Sequence, residues 1–226
     1  MQHATGEYTD WRLIEYKPAI AELLPNSLLP YVSGEQTALD IGCNTGSASL
    51  FLAQHGLNVI GIDINAKAIC MAIERAEQSG LCTRARFIES DILNTQDLGL
   101  FDVVLMIRLL TCFPSLESWH LLLQKAYSKL KDEGLIYVND FKIAEASEVY
   151  QKRYDGGVRL GWRKGNFAVN DTAGHLLFVA HHHSADDIDE IISPYSQMIL
   201  NFQKSLSMNG NECEMFEFIG RKKPPT

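Results

Sequence analysis

An α/β fold with a parallel sheet covered on both faces is predicted by two observations. From Thr37 onward, short apolar runs alternate strictly with stretches of helical spacing, and strand–helix alternation leads to parallel pairing with helices on either side. The chain has 226 residues, 46% of them hydrophobic. That is enough to close one sizeable core and too little for two ordinary enzyme domains.

Taken in order, Tyr8 to Tyr31 carry Trp11, Ile14, Ile20, Leu23 and Leu24 near helical spacing, interrupted by Pro18 and stopped by Pro25 and Pro30. They read as a broken helical preamble. Strands are predicted at Ala38–Ile41, Asn58–Ile62, Ala85–Ile88, Phe101–Met106 and Leu135–Asn139. Helices are predicted at Ser47–His55, Ala66–Gln78 and Ser115–Leu130, the last capped by Ser115. Lys131 to Gly134 form a turn into the fifth strand. After Asp140 the pattern predicts a helix to about Tyr154, a glycine-punctuated loop and short strands at Asn166–Asn170 and Leu176–Ala180. A helix then starts near Ser184, with Asp187 at capping-box spacing. Gln197–Met208 and Glu212–Arg221 read as a hairpin turning at Asn209-Gly210, and Arg221 to Thr226 as a frayed tail.

Composition removes several classes. Twenty Lys+Arg against 28 Asp+Glu give a formal charge of −8, so the chain as a whole lacks the field that drives non-specific nucleic-acid binding. No basic segment followed by an apolar stretch opens the chain, and no uncharged apolar run approaches the roughly 18 residues of a spanning helix. A cytoplasmic protein with no membrane partner is expected. The five cysteines, Cys43, Cys70, Cys82, Cys112 and Cys213, include no C-x-x-C pair; they are expected to be buried, inert thiols rather than disulfides or zinc ligands.

The informative stretch is Ala38-Leu39-Asp40-Ile41-Gly42-Cys43-Asn44-Thr45-Gly46, a strand running into a glycine turn that opens a helix. Such a turn lets a ligand approach the backbone and meet the N–H groups of the helix start. The spacing of Gly42 and Gly46 supplies neither G-x-G-x-x-G nor a phosphate-cradling G-x-x-x-x-G-K-[ST] loop. Asp40 at the strand tip would repel a pyrophosphate and suit an ammonium group. Asp63, 17 residues after Gly46, ends the second strand where a carboxylate can accept both hydroxyls of a ribose. Asp91, just past the third strand, offers an acceptor for an exocyclic amine, with Ile64 and Ile92 as walls for a ring. An adenosine joined to an amino acid and lacking phosphate satisfies the set.

From about residue 36 to 141 the sequence resembles the class I S-adenosylmethionine-dependent methyltransferases, small-molecule type. The acidic-glycine motif matches Asp40 to Gly46, the ribose acid Asp63, the adenine-side acid Asp91, and the fourth strand Phe101 to Met106. The approach to strand five matches Leu130 to Gly134 and the apolar run after it. The resemblance implies S-adenosylmethionine as cofactor and S-adenosylhomocysteine as product. The implied holders are Asp40, Gly42, Cys43, Asn44, Gly46, Asp63, Ile64, Asp91, Ile92 and Ile107. It also implies a Rossmann-like seven-stranded, mostly parallel sheet with an antiparallel C-terminal hairpin. The expected organisation is one domain: a helical cap at 1–35, the cofactor core at 36–141, an acceptor-side insertion and lid at 142–196 and the hairpin at 197–226. Asp102 is read as a structural strand-start residue.

The acceptor half is less determined. In a sheet of this kind the ends of strands four and five face the reaction centre, which brings in Ile107, Arg108, Leu109 and Asp140. Arg108 interrupts an otherwise apolar run, a costly position unless it faces a cleft or a partner. Residues 150–164, including Tyr154, hold five of the 20 basic residues and one acid. They read either as a lid that attracts a substrate carboxylate or phosphate, or as a solvated loop. Tyr8, Trp11 and Tyr16 read as packing residues of the preamble, with an aromatic lid as the alternative. His181 and His183 share a face of an extended chain while His182 points the other way, so the run does not form a three-ligand site and no metal is expected. Phe178 to His182 resembles an aromatic-Ala-His-His element of small-molecule methyltransferases. The candidate catalytic residues are therefore His182, Arg108 and Tyr154. The expected activity is methyl transfer to a small molecule carrying an anionic group. A tRNA-modifying enzyme and a non-catalytic cofactor-binding protein are the alternatives.

Overall fold

The computed structural model of the chain describes residues 23–95, 98–171, 173–206 and 211–223. Its elements are β1 (Thr37–Ile41), α1 (Ser47–Gln54), β2 (Asn58–Asp63), α2 (Ala66–Gln78), β3 (Ala85–Glu89), β4 (Phe101–Ile107), α3 (Leu116–Ser128), β5 (Leu130–Lys142), α4 (Glu148–Arg159), β6 (Asn166–Asn170), β7 (Leu176–His181), α5 (Ala185–Ile192), β8 (Tyr195–Leu206) and β9 (Glu212–Lys222). One seven-stranded sheet has the order β3-β2-β1-β4-β5-β9-β8, and β6 and β7 form a separate pair. Strands β1 to β5 pair in parallel, while β9 is antiparallel to β5 and β8 antiparallel to β9. This is the Rossmann-like sheet expected above.

Strand β4 shows why the sequence folds this way. Val104 and Met106 enter a layer with Trp119, Leu122, Ile188 and Ile191 of α3 and α5. Val103 and Leu105 enter the opposite layer with Leu50, Leu52, Ile69 and Ala72 of α1 and α2. Both faces are buried, so the run shows no polar alternation, and each side chain of this size contributes about 1.5–3 kcal/mol when removed from water. The chain winds outward through β1, β2 and β3, then returns to β4 on the other side of β1. That reversal opens a crevice at the carboxyl ends of β1 and β4.

Several local expectations change. Residues 1–22, and with them most of the preamble including Tyr8, Trp11 and Tyr16, lie outside the described residues, as does the Asn209-Gly210 turn. What is described of the preamble is a 3-10 turn at Asn26–Tyr31. The Lys131–Gly134 turn is a bulge inside β5, with Glu133 at φ 58° and the register to β4 shifting beside it. Ser115 stands at the start of α3 but makes no side-chain cap, whereas Ser184 and Asp187 form the reciprocal capping box. Arg221 and Lys222, expected to fray, pair with β5 and β8. Cys70 and Cys82 are exposed, Cys112 is half-buried, and only Cys43 and Cys213 have the expected burial; all five are free thiols.

The largest correction concerns residues 150–164. The glycine-punctuated loop is helix through Gly156 and Gly157 as far as Arg159. Gly157 lies where α4 presses on β6: a Cβ there would stand 2.2 Å from the carbonyl oxygen of Asn166. The glycine serves close packing rather than a loop. Gly157→Ala is expected to lower stability by about 1–3 kcal/mol through overpacking. Gly156→Ala, with nothing nearer than Arg159 Nη2 at 3.9 Å, should raise it by about 0.5–1 kcal/mol; urea unfolding midpoints of the two variants check the contrast.

Candidate functional site

The turn after β1 is clamped to β2. Gly42 and Cys43 both donate their N–H to the Ile62 carbonyl, at 2.8 and 3.0 Å. Gly42, Asn44 and Gly46 take φ of 72°, 50° and 78°, a left-handed path that glycine allows and asparagine tolerates. A Cβ on Gly42 would meet Leu109 Cδ1 at 2.7 Å, and one on Gly46 would meet Phe87 Cζ at 2.7 Å. From the far side Arg75 Nη1 donates to Thr45 O, Thr45 Oγ1 and Ser47 Oγ.

Two carboxylates flank this turn. Asp40 is 2% exposed and its Oδ2 accepts from Ser49 Oγ at 2.6 Å. Burial, with a smaller contribution from the charge of Asp63, pushes its pKa up to about 6. Asp63 accepts from Asn44 N–H at 2.9 Å and Asn65 N–H at 2.9 Å; burial raises its pKa against those bonds. Neither forms an ion pair among the described residues. Cys43 is buried beside them, its thiol held well above the usual range by burial and by both carboxylates. Asp91, past β3, closes its own turn by accepting from Leu93 N–H and Asn94 Nδ2 at 2.9 and 2.8 Å. Ile92 is 5% exposed and packs in the layer of Ile62 and Met106, while Ile64 and Ile107 are half-buried. Parallel pairing thus brings Asp40, Asp63 and Asp91 to one edge of the sheet. Asp102 has the structural role expected, accepting from Thr37 N–H, Thr37 Oγ1 and Lys131 Nζ at the opposite edge.

Past β4, Arg108 takes φ 52°, a conformation that costs a non-glycine residue about 1–2 kcal/mol. Its N–H donates to Asn139 O at 2.7 Å, its guanidinium lies 5.5 Å over the Phe141 ring, and its buried Nε has no hydrogen-bond partner. Beside it Asp140 is fully buried, accepting from Phe141 N–H at 2.7 Å and Thr111 N–H at 3.2 Å. Burial lifts its pKa to about 7, opposed by those bonds and by the charge of Arg108. Asn139 Oδ1 is also buried without a partner. Asp140 and Asn139 stand outside the expected catalytic set; the signal that could have placed them there is two polar residues ending an apolar strand run.

His182 and Tyr154 do come together, Nδ1 to Oη at 2.8 Å, with Ala144 N–H donating to the same hydroxyl at 3.2 Å. His182 stacks on Phe141 with centroids 5.0 Å apart. Burial presses the His182 pKa down to about 3 and raises that of Tyr154, so both are neutral near pH 7. The basic residues of 150–164 go separate ways. Arg163 pairs with Asp187 inside the fold, Arg159 is exposed at the end of α4, and Arg153 lies over Tyr150 and Phe167. Arg153, Gly157, Leu160, Trp162 and Val169 line a groove of about 380 Å³.

The sequence profile of a family described as a methyltransferase domain matches residues 33–192. The chain belongs to the class I S-adenosylmethionine-dependent methyltransferases. A methyltransferase of Methanosarcina mazei is 25% identical with a TM-score of 0.82, the match covering 88% of this chain and 98% of that one. The N-methyltransferase NodS of Bradyrhizobium japonicum, solved with S-adenosyl-L-homocysteine, has the same fold at 15% identity and a TM-score of 0.62, covering 88% and 85%. A ubiquinone biosynthesis O-methyltransferase of Cupriavidus pinatubonensis is 31% identical over 101 residues, which is 45% of this chain and 39% of that protein. The chain spans about a third to just over half the length of such curated relatives.

S-adenosylmethionine is the cofactor of this methyltransferase family, and the cradle suits it. The buried Asp40 and the half-buried Asp63, without an ion-pair partner among the described residues, fit a ligand carrying an ammonium and a sulfonium. Asp63→Ala is expected to weaken S-adenosylhomocysteine binding more than about tenfold by calorimetry, while the turn it braces costs about 1–2 kcal/mol of stability. Because Asp40 titrates near 6 in the free protein, a cationic ligand that favours its ionised form should release protons on binding at about pH 6. Calorimetry in buffers of different ionisation enthalpy measures that release, and Asp40→Asn should abolish most of it.

Proposed function

We propose that this methyltransferase acts on an oxygen or nitrogen nucleophile of a small molecule bearing an anionic or hydroxyl group. The observation that carries the reading is the pair Arg108 and Asp140, side by side at the tips of β4 and β5, next to the turn after β1. O-methyltransferase and N-methyltransferase relatives support it, as does the net charge of −8, which disfavours tRNA.

The reaction needs a nucleophile held in line, water kept away and a proton removed when the nucleophile carries one. When bound, S-adenosylmethionine supplies an electrophilic methyl group on a positively charged sulfur. Asp40, Gly42, Cys43, Asn44 and Gly46 would hold its amino-acid part, Asp63 its ribose, Asp91 with Ile64 and Ile92 its adenine, and Ile107 would border it at the tip of β4. Asp140 takes the proton: its backbone bonds fix the carboxylate, and its titration near 7 matches the working pH of a general base. Arg108, whose Nε lacks a partner, binds the acceptor's anionic oxygen. His182 is too weak a base for this role; with Tyr154 it braces Phe141, which carries both His182 and Arg108 on its ring. Arg153 borders the groove of about 380 Å³, whereas Arg163 is engaged by Asp187.

The test is formation of S-adenosylhomocysteine from S-adenosylmethionine with a panel of phenols, amines and hydroxy acids, and with total tRNA as rival acceptor. With the preferred acceptor, kcat should climb about tenfold per pH unit below pH 7 and level off above it, because only ionised Asp140 accepts the proton. Asp140→Asn should lower kcat by about 100-fold or more and leave S-adenosylhomocysteine affinity nearly unchanged. A flat pH profile, or tRNA as the preferred acceptor, would overturn the reading.

A further inference from the structure

A cluster on the far side of the histidine run takes no part in the chemistry above. His181, the last residue of β7, and His183 project to the same side, with ring centroids 4.8 Å apart. Asp187, in the first turn of α5, meets them, and one ligand atom from each of the three lies within 4.8 Å of the others. All three side chains are buried, the two histidines fully.

The proton count at this cluster does not close with protein atoms alone. Asn166 Nδ2 donates to Pro114 O at 3.1 Å, which turns Asn166 Oδ1 toward His181 Nδ1 at 2.7 Å. His181 Nδ1 must then carry the hydrogen. A neutral His181 therefore points the lone pair of Nε2 at Asp187 Oδ2, 3.2 Å away. Two lone pairs at that distance repel unless a positive charge lies between them. A second proton on His181 would supply one, but it would leave His183 unexplained. His183 is fully buried, and neither ring nitrogen has a hydrogen-bond partner. Leaving such a group unpaired costs about 1–3 kcal/mol.

We propose that His181 Nε2, a ring nitrogen of His183 and Asp187 Oδ2 bind a zinc ion. Two imidazoles and one carboxylate are a borderline donor set that suits Zn²⁺, and the Asn166 bond to the far nitrogen of His181 is the usual means of orienting a ligand imidazole. Ser184 N–H donates to Oδ2 at 2.8 Å and Arg163 pairs with Oδ1, so the carboxylate is already held. Trp119 Nε1 and Arg163 Nη1, two more buried donors without partners, belong to groups packed against the cluster; they suit a water or anion completing the coordination. The ion would tie α5 to the end of β7, and through the bonds of His183 N–H to Phe141 O and Ile143 N–H to His183 O, to the tip of β5.

The test uses untagged full-length chain with its exposed thiols Cys70 and Cys82 changed to serine, stripped by a strong chelator and titrated with ZnCl₂ against a chromophoric competitor. One equivalent of tightly bound zinc is expected, together with a rise in Tm and, on substitution with Co²⁺, a visible spectrum of nitrogen–oxygen type. His183→Phe, which keeps an aromatic ring in the packing, should weaken zinc binding by about a hundredfold or more and remove the Tm response. Asp187→Asn, which keeps a polar residue in the capping box, should do the same and carries the test if His183→Phe does not fold. His175→Ala, at an exposed histidine, should leave binding unchanged. Absence of a stoichiometric site, or a site that survives both cluster substitutions, would overturn the proposal. So would an imidazolium signature for His181 in nitrogen NMR spectra of protein that takes up no zinc.

Discussion

The site depends on one carbonyl. Ile62 O accepts the N–H of both Gly42 and Cys43, and this double acceptance draws the turn after β1 onto the end of β2. Asn44 then falls within reach of the Asp63 carboxylate, and α1 starts in a direction that carries Ser49 to Asp40. The clamp works with the strand pairing of Asp40 and the backbone bonds of Asp63 to keep two carboxylates at this turn although like charges separate when they can.

The two halves of the crevice are built by different means. The segment proposed to hold the amino-acid part and ribose of the cofactor is local: a turn, two strand ends and the first turn of a helix, all within residues 40–65. The proposed acceptor side is assembled from distant segments. Arg108 lies on Phe141, Phe141 on His182, and His182 is bonded to Tyr154, so four side chains from four elements are in register only after β5, α4 and β7 have docked. Charge is managed in the same divided way. Among the described residues Asp40 and Asp63 pair with no cation, while Asp140 has Arg108 beside it.

This division explains what could be read from the residues. The parallel sheet, the α5 capping box and the carboxylates at the strand tips follow from period and spacing, which are local, and they stand in the structure as expected. Gly156 and Gly157 misled because a glycine pair reads as a loop when the facing atom, here Asn166 O, is unknown. The bulge at Glu133 looked like a turn for a similar reason: its partner strand decides whether the chain leaves the sheet. Alternation placed His181 and His183 on one face, and their rings do meet. Asp187 was visible only as a helix cap, and its second role requires knowing that α5 folds back over β7. Asp140 was legible as a strand end, but its burial, which lifts its titration toward neutrality, comes from the segment at Leu110–Cys112 packed across it.

The strand order also bears on how the molecule is made. β9 lies between β5 and β8, although it leaves the ribosome after both. Until Glu212–Lys222 have emerged, β8 has no neighbour to join and must wait as an unattached hairpin arm. A nascent chain stalled before residue 212 would therefore lack two rungs of the sheet instead of one, with the apolar faces of Phe216 and Phe218 missing from the layer that Trp119 and Ile191 share.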